Sequence, residues 1–179
     1  MKLRAATRAA HERVDRLGEG FDLTRPAGYR AFLEGHAAAL PAIENELEAA
    51  GVAQLMPDWP GRRRTRALMQ DLADLGAVAP APVGAPDLRS RAQLMGALYV
   101  LEGSRLGGAY LRRKVAQAQP EAPAAYLAHG AGAPLWRSFL AWLEVQPASA
   151  DDEAEAIQAA EATFATFEAG FLSAGAESA

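Results

Sequence analysis

Apolar residues recur at helical spacing along nearly the whole chain, and no segment shows the alternation that a half-buried strand requires. This periodicity favours an all-α fold. Half of the 179 residues are hydrophobic, which is enough for the core of one domain of ordinary size. We therefore predict a single-domain helical bundle of about six to eight helices over residues 1–179, with a frayed tail at 173–179.

Prolines, glycines and capping residues divide the chain into predicted helices. Two stretches lack a helical pattern: 52–61, predicted to be a loop, and 77–88, which is rich in proline, alanine and glycine. We interpret 77–88 as a linker inside the domain, because neither half of the chain would keep a core of its own. The predicted helices cover 3–17, 26–50 with a bend at Pro41, 62–75, 91–118, 122–129, 135–145, and a last helix from a cap at Ser149 to about 172.

Composition and motif content exclude several classes of function. The absence of cysteine rules out disulfides, thiolate metal sites and cysteine nucleophiles. The formal net charge of -4 disfavours general nucleic-acid binding. The first residues lack an apolar signal core, and no run approaches the length of a membrane span, so we expect a cytoplasmic protein without a nucleic-acid or membrane partner. No HExxH or Glu-x-x-His motif supports zinc hydrolysis or a dinuclear centre.

His11 is the polar residue that most needs an explanation. It falls on the apolar stripe of the first predicted helix, four residues after Thr7 and three before Val14, so it is predicted to face inward. A buried imidazole costs free energy unless its nitrogens find partners. Asp15, one turn later, could serve one nitrogen, and a metal could bind the other. The alternative is a core histidine bonded to a backbone carbonyl, the commoner role for a lone histidine on an apolar face.

Three other polar features are interpreted as structural. His36 is predicted to be a packed and hydrogen-bonded side chain on the second long helix. His129, near a helix end, is predicted to lie on the surface, where the helix dipole favours a cation. The basic cluster GRRRTR at 61–66 is predicted to be a solvated helix face, with docking of an acidic electron donor as the alternative.

The segment LEGSRLGGAYL, residues 101–111, places three glycines inside a predicted helix. Each costs roughly 1 kcal/mol relative to alanine. Gly96, Gly103 and Gly107 are spaced so that they share one helix face. Such a face suits either close packing of another helix or contact with a flat ligand. Together with an inward histidine on another helix, it describes a slot into which a haem fits.

Two segments resemble the haem oxygenase family, most closely its bacterial branch associated with phytochromes. They are LRAATRAAHERVD at 3–15 and the glycine-rich YVLEGSRLGGAYL at 99–111. Two weaker matches, LWRSFLAWL at 135–143 and TFATFEAGF at 163–171, follow in the order of the family. The resemblance implies the helical fold of that family over nearly the whole chain.

The resemblance implies a role for each matching residue. His11 corresponds to the proximal haem ligand, and Asp15 to the acidic residue that supports its other nitrogen. Arg4 and Arg137 correspond to basic residues that contact the haem propionates.

On the distal side, the resemblance implies that the backbone at Gly103, Gly107 and Gly108 approaches the haem. Ser104 stands where many members carry an aspartate that organises water, so Ser104 with Gly103 and Gly107 would take part in catalysis. This substitution leaves open how water is held and which bridge of the ring is attacked.

The implied activity is that of a haem oxygenase. Haem b would be both substrate and cofactor, and O2 with electrons from a ferredoxin or a reductase would open the ring to biliverdin, releasing CO and ferrous iron. A bacterial phytochrome is a candidate recipient of the biliverdin. One alternative is a haem carrier or sensor of the same fold without ring opening. The other is a helical scaffold in which His11 and the glycines are structural.

Overall fold

The computed structural model describes residues 2–177, and within that range all regular structure is helical, as the apolar periodicity predicts. The helices are α1 (Leu3–Ala6), α2 (Arg8–Glu19), α3 (Pro26–Ala49), α4 (Val52–Leu55), α5 (Trp59–Arg62), α6 (Thr65–Asp74), α7 (Arg91–Gly103), α8 (Arg105–Ala118), α9 (Ala125–Ala128), α10 (Leu135–Glu144) and α11 (Ala150–Glu177).

The last helix, α11, is the centre of the bundle, because α2, α3 and α7 all pack against it. At Gly35 of α3 and Gly170 of α11 the backbones approach so closely that a Cβ atom at either position would overlap the other helix. His11 of α2 contacts Phe164 and Gly18 lies beside Phe171, so α2 runs parallel to α11. Although α3 and α11 are long, no helix within residues 2–177 is both long and apolar enough to cross a membrane.

Two helices predicted to be continuous are each interrupted at a residue with a side-chain hydroxyl. Thr7 separates α1 from α2, and its Oγ1 donates to the carbonyl oxygen of Leu3 at 2.8 Å. Ser104 separates α7 from α8, and its Oγ donates to the carbonyl oxygen of Leu101 at 2.8 Å. A hydroxyl that bonds a carbonyl one turn earlier competes with the helical hydrogen bond and bends the helix. The predictions of single helices over 3–17 and 91–118 are therefore wrong at these two points.

Other boundaries differ because tertiary packing extends or begins a helix. The predicted loop 52–61 contains α4 and α5, and Trp59 anchors it in the core at 1% exposure. The helix predicted to begin at residue 62 begins at Thr65, whose backbone N–H donates to buried Glu44. The helix α11 continues to residue 177, beyond the predicted end near 172, and Ala174 in this last part is buried. Residues 178 and 179 lie outside the described range, and fraying of the tail at 173–179 stays a prediction.

Three expectations about helix ends and connections agree with the structure. Ser90 caps α7 and forms a capping box with Gln93. Ser149 precedes α11, and its Oγ accepts from the backbone N–H of Asp152 at 3.1 Å. Segment 77–88 has no regular structure and connects α6 to α7, while α3 stays helical through Pro41.

Candidate functional site

His11 lies at the edge of the contact between α2 and α11, and 56% of its side chain is exposed. Its Nδ1 is 3.0 Å from Oδ2 of Asp15, one turn later, and its ring meets the edge of Phe164 at 5.6 Å. Neither the inward orientation nor the alternative of a core histidine bonded to a backbone carbonyl is correct, because Thr7 and Ala10 are the residues buried here. With Nδ1 directed at Asp15, the Nε2 atom is the nitrogen that can bind a metal.

Two glycines, one on α7 and one on α8, serve helix packing. A Cβ atom at Gly96 would overlap the carbonyl oxygen of Ala156, so this glycine lets α7 approach α11. A Cβ atom at Gly108 would lie 2.9 Å from the carbonyl oxygen of Leu127, so this glycine lets α8 approach α9. At these two positions the glycine is therefore explained by close helix packing, which was one of the two alternatives.

Gly103 lies beside a single aromatic ring, and Gly107 borders open space. Apart from the adjoining backbone of its own helix, no atom of residues 2–177 lies within 4 Å of a Cβ atom placed at Gly107, whereas one at Gly103 would lie 3.7 Å from the indole ring of Trp136. Gly96, Gly103 and Gly107, which were predicted to share one helix face, thus lie in three different environments. The side-chain-free surface is confined to Gly103 and Gly107, and Trp136 covers part of it.

Ser104 is tied to the interior by a buried arginine. Its Oγ accepts a hydrogen bond from Nη2 of Arg64 at 2.9 Å, and the same Nη2 donates to the carbonyl oxygen of Leu101 at 3.0 Å. Arg64 is only 5% exposed, and its guanidinium lies over the ring of Tyr126 at 5.4 Å. The position of the Ser104 hydroxyl is therefore set by α6 and α9 as well as by its own helix.

A cavity of about 40 Å³ lies beneath the Ser104 break. This volume is sufficient for water, and the lining is polar enough to hold it. The lining residues are Phe32, His36, Arg64, Ser104, Arg105, Gly108, Leu111, Tyr126, Leu127 and His129.

Burial disfavours the charged form of both histidines of this cavity by lowering their pKa values. Burial among aromatic rings lowers the pKa of His36 to about 4, and its Nδ1 bonds the carbonyl oxygen of Phe32 at 3.0 Å, which confirms the prediction of a packed, hydrogen-bonded side chain. His129 is not the surface residue predicted, since it is partly buried at 3.2 Å from Nη1 of Arg105. Burial, and then the charge of Arg105, lowers the pKa of His129. Because arginine only donates, Nδ1 of His129 is the acceptor.

Two of the four arginines in the basic cluster at 61–66 are buried, so the prediction of a solvated helix face is wrong for these two. Arg62 is 3% exposed and Arg64 is 5% exposed. Arg62 pairs with Glu102, which is fully buried, at 2.6 Å. The alternative of a docking surface for an electron donor fails at these two residues for the same reason.

Sequence reasoning missed the buried carboxylates that balance this cluster. Glu44 lies on the apolar stripe of α3 between Leu40 and Leu47, and an acidic residue in such a stripe was the available signal. Glu102 stands directly before Gly103 and resembles a solvated residue unless its burial is known.

The two arginines expected to contact propionates are both exposed, and neither forms an ion pair with another residue of the 2–177 range. Arg4 on α1 lies close enough to Tyr99 of α7 to counteract the rise in the pKa of Tyr99 that burial causes. Arg137 follows Trp136 on α10, and the Trp136 ring lies 5.7 Å from that of Tyr99. Tyr99 and Trp136 thus join the candidate site, although neither was predicted from the sequence to be a site residue.

Comparison with known proteins identifies the family. A family model described as "Heme oxygenase" matches residues 49–173, which include the distal glycines but not His11. A heme oxygenase from Xanthomonas campestris is 38% identical over 150 residues, covering 78% of this chain and 86% of its own length. Heme oxygenase PigA from Pseudomonas aeruginosa is 32% identical over 178 residues, covering 93% of this chain and 87% of its own.

Solved structures show the same arrangement of helices. The heme oxygenase of Neisseria meningitidis, solved with NO and CO bound, superposes with a TM-score of 0.79 at 28% identity, covering 97% of this chain and 89% of that one. The heme oxygenase of Leptospira interrogans has the same fold, with a TM-score of 0.73 at 18% identity over 95% of this chain and 96% of that one. The family model and the relatives together show that the chain belongs to the haem oxygenase family of enzymes.

Proposed function

We propose that this chain binds haem b through Nε2 of His11 and, using O2 and electrons, opens the ring to biliverdin with release of CO and ferrous iron. The observation that supports it best is the state of His11, which is half exposed, oriented through Nδ1 by Asp15 and free to bind at Nε2. A carboxylate on the far nitrogen fixes the tautomer and makes the imidazole a stronger ligand. The bound haem supplies the iron at which O2 is reduced.

The residues present fit a flat substrate with two carboxylates. Gly107 leaves open space beside the distal helix, and a planar ring can lie against backbone where no side chain intervenes. Arg4 and Arg137 are exposed cations without partners among residues 2–177, so both are available for charge-assisted bonds to propionates. Tyr99 lies near Arg4 and offers a hydroxyl to the same carboxylates.

Ser104 and the cavity beneath it are proposed to hold the water that supplies protons to the reaction. The Oγ of Ser104 is held by Arg64 at the break between the two distal glycines. Burial favours the neutral forms of His36 and His129 in this cavity, so their lone pairs and N–H groups can bond water without adding charge.

The reaction requires an electron donor, for which a ferredoxin or a reductase is proposed. Because Arg62 and Arg64 are buried, such a donor could contact only Arg63 and Arg66 among the arginines of the 61–66 cluster. Delivery of the biliverdin to a bacterial phytochrome stays a prediction from the sequence resemblance.

The proposal is tested by titrating the protein with haem and then supplying ascorbate, or a ferredoxin system, in air. The wild-type protein should give a Soret band at one haem per chain, followed by a bile-pigment spectrum, trapped CO and chelatable ferrous iron. His11→Ala should lose the Soret band, and added imidazole should restore it, because imidazole replaces the missing ligand. A stable haem complex without ring opening would support the carrier alternative, and failure to bind haem would support the scaffold.

A further inference from the structure

Arg62 lies where three segments of the chain meet. Its Nη1 donates to Oε2 of Glu102 at 2.6 Å and to the carbonyl oxygen of Leu135 at 3.1 Å. Its Nη2 donates to Oγ of Ser138 at 2.9 Å. One guanidinium, 3% exposed, therefore joins the end of α7 to the first turn of α10.

Two arginines bind the carboxylate of Glu102. Its Oε1 accepts from Nη2 of Arg105 at 2.8 Å, while Oε2 accepts from Arg62, and the carboxylate itself is fully buried. Arg105 also donates to the carbonyl oxygen of Arg62. Desolvating such a group of charges often costs as much free energy as the pairing returns, so its use is better sought in the geometry that it specifies.

The geometry concerned is the position of α10 against the distal helix. Trp136 and Arg137 directly follow Leu135, the residue whose carbonyl oxygen Arg62 binds. The Trp136 ring lies against Gly103 and Tyr99, while Gly107, one turn further along, stays uncovered. The surface that would face the haem is therefore covered by the Trp136 ring at Gly103 and bare at Gly107. Its shape depends on where Arg62 holds α10.

We propose that Arg62 and Glu102 are positioning residues that hold Trp136 over Gly103 and thereby set the rotation of the haem in its plane and the bridge that is cleaved. This inference rests on the proposed function. A ring that must avoid Trp136 on one side has fewer allowed rotations than one that faces a uniform glycine surface. The planar fork of arginine reaches Glu102, Leu135 and Ser138 together, which the single ammonium of lysine does not.

The test compares Arg62→Lys and Trp136→Ala with the wild-type protein and with Arg63→Lys. Arg63 is the matched control, since it pairs with Glu44 and Glu48 and has no bond to α10. Biliverdin isomers from single turnovers are separated by chromatography. We expect the isomer ratio to change by roughly tenfold in the first two variants, as when one contact of about 1.4 kcal/mol distinguishes two orientations, and to stay unchanged in Arg63→Lys.

A second measurement does not depend on activity. Amide hydrogen exchange of residues 135–144 in the haem-free protein should be at least several-fold faster in Arg62→Lys than in the wild-type protein, because α10 is no longer held. If Arg62→Lys does not fold, Ser138→Ala removes one of the three bonds from an exposed side chain and should give the same change in smaller degree.

The outcomes separate the two claims. Unchanged exchange in α10 would overturn the restraint by Arg62. Faster exchange with an unchanged isomer ratio would overturn its role in orienting haem. If the wild-type protein makes no biliverdin at all, the proposed function fails and the orienting role fails with it, while the exchange result still decides whether Arg62 holds α10.

Discussion

The Nδ1 atom of His11 lies 3.0 Å from Oδ2 of Asp15, and both side chains are more than half exposed. An exposed pair of this kind stabilises a helix little, because solvent screens the charges. The pair leaves Nε2 of His11 as the nitrogen that is available to a ligand. We therefore propose that the pair serves haem binding rather than folding.

Replacing Asp15 should weaken haem binding without affecting the fold. Asp15→Asn is expected to lower haem affinity by about 10- to 100-fold, the usual effect of losing a carboxylate behind a metal-binding histidine. Soret titration measures the affinity. Glu12→Gln is the matched control, because the Glu12 carboxylate pairs with Arg8 on the same helix, whereas the Asp15 carboxylate pairs with His11. Equal losses in the two variants would indicate a general effect of charge on α2.

Gly107 of α8 and Gly96 of α7 should respond to alanine in opposite ways. Gly107→Ala is expected to raise the free energy of unfolding of the haem-free protein by up to about 1 kcal/mol, because helix propensity improves and nothing lies near the new methyl group. Gly96→Ala is expected to destabilise the protein, since its Cβ would overlap the carbonyl oxygen of Ala156. Urea unfolding of both variants measures the difference, and a loss of stability in Gly107→Ala would show that its surroundings are closed.

The stability of the protein should depend on the titration of His36. Its pKa is about 4 in the folded chain, against roughly 6.5 when unfolded, so between these values the unfolded state binds more protons. Stability is then fully present above pH 6.5 and falls as the pH drops toward 4. We expect the wild-type protein to lose roughly 2 kcal/mol more than His36→Gln between pH 7 and pH 5. Urea unfolding at several pH values measures this, and parallel curves for the two proteins would contradict it.

Glu44 should matter far more to stability than its neighbour Glu48. Glu44 is 1% exposed and accepts hydrogen bonds from the backbone N–H groups of Arg64 and Thr65. Glu44→Ala leaves these donors without partners and should cost about 3 kcal/mol. Glu48→Ala removes only a pair with Arg63 whose glutamate is 42% exposed, and should cost no more than about 0.5 kcal/mol. Chemical denaturation compares the two, and similar losses would mean that Glu44 has no special role.

Local spacing was sufficient for much of the fold and for the pairing of His11 with Asp15. Apolar periodicity predicted an all-helical chain, and Ser90 and Ser149 predicted the starts of α7 and α11. The pairing of His11 with Asp15 follows from their separation by one helical turn. Such features depend on residues three or four positions apart, so they can be predicted directly from the sequence.

Tertiary structure alone decided which helix faces are covered. Glycines carry no side-chain signal, so the sequence could not separate Gly96, which packs on α11, from Gly107, which stays open. Likewise, the burial of Arg62 depends on Glu102, forty residues away, and on α10 beyond it. Whether a charged residue or a glycine is buried depends on which helix packs against it. The packing of the whole bundle determines which helix that is.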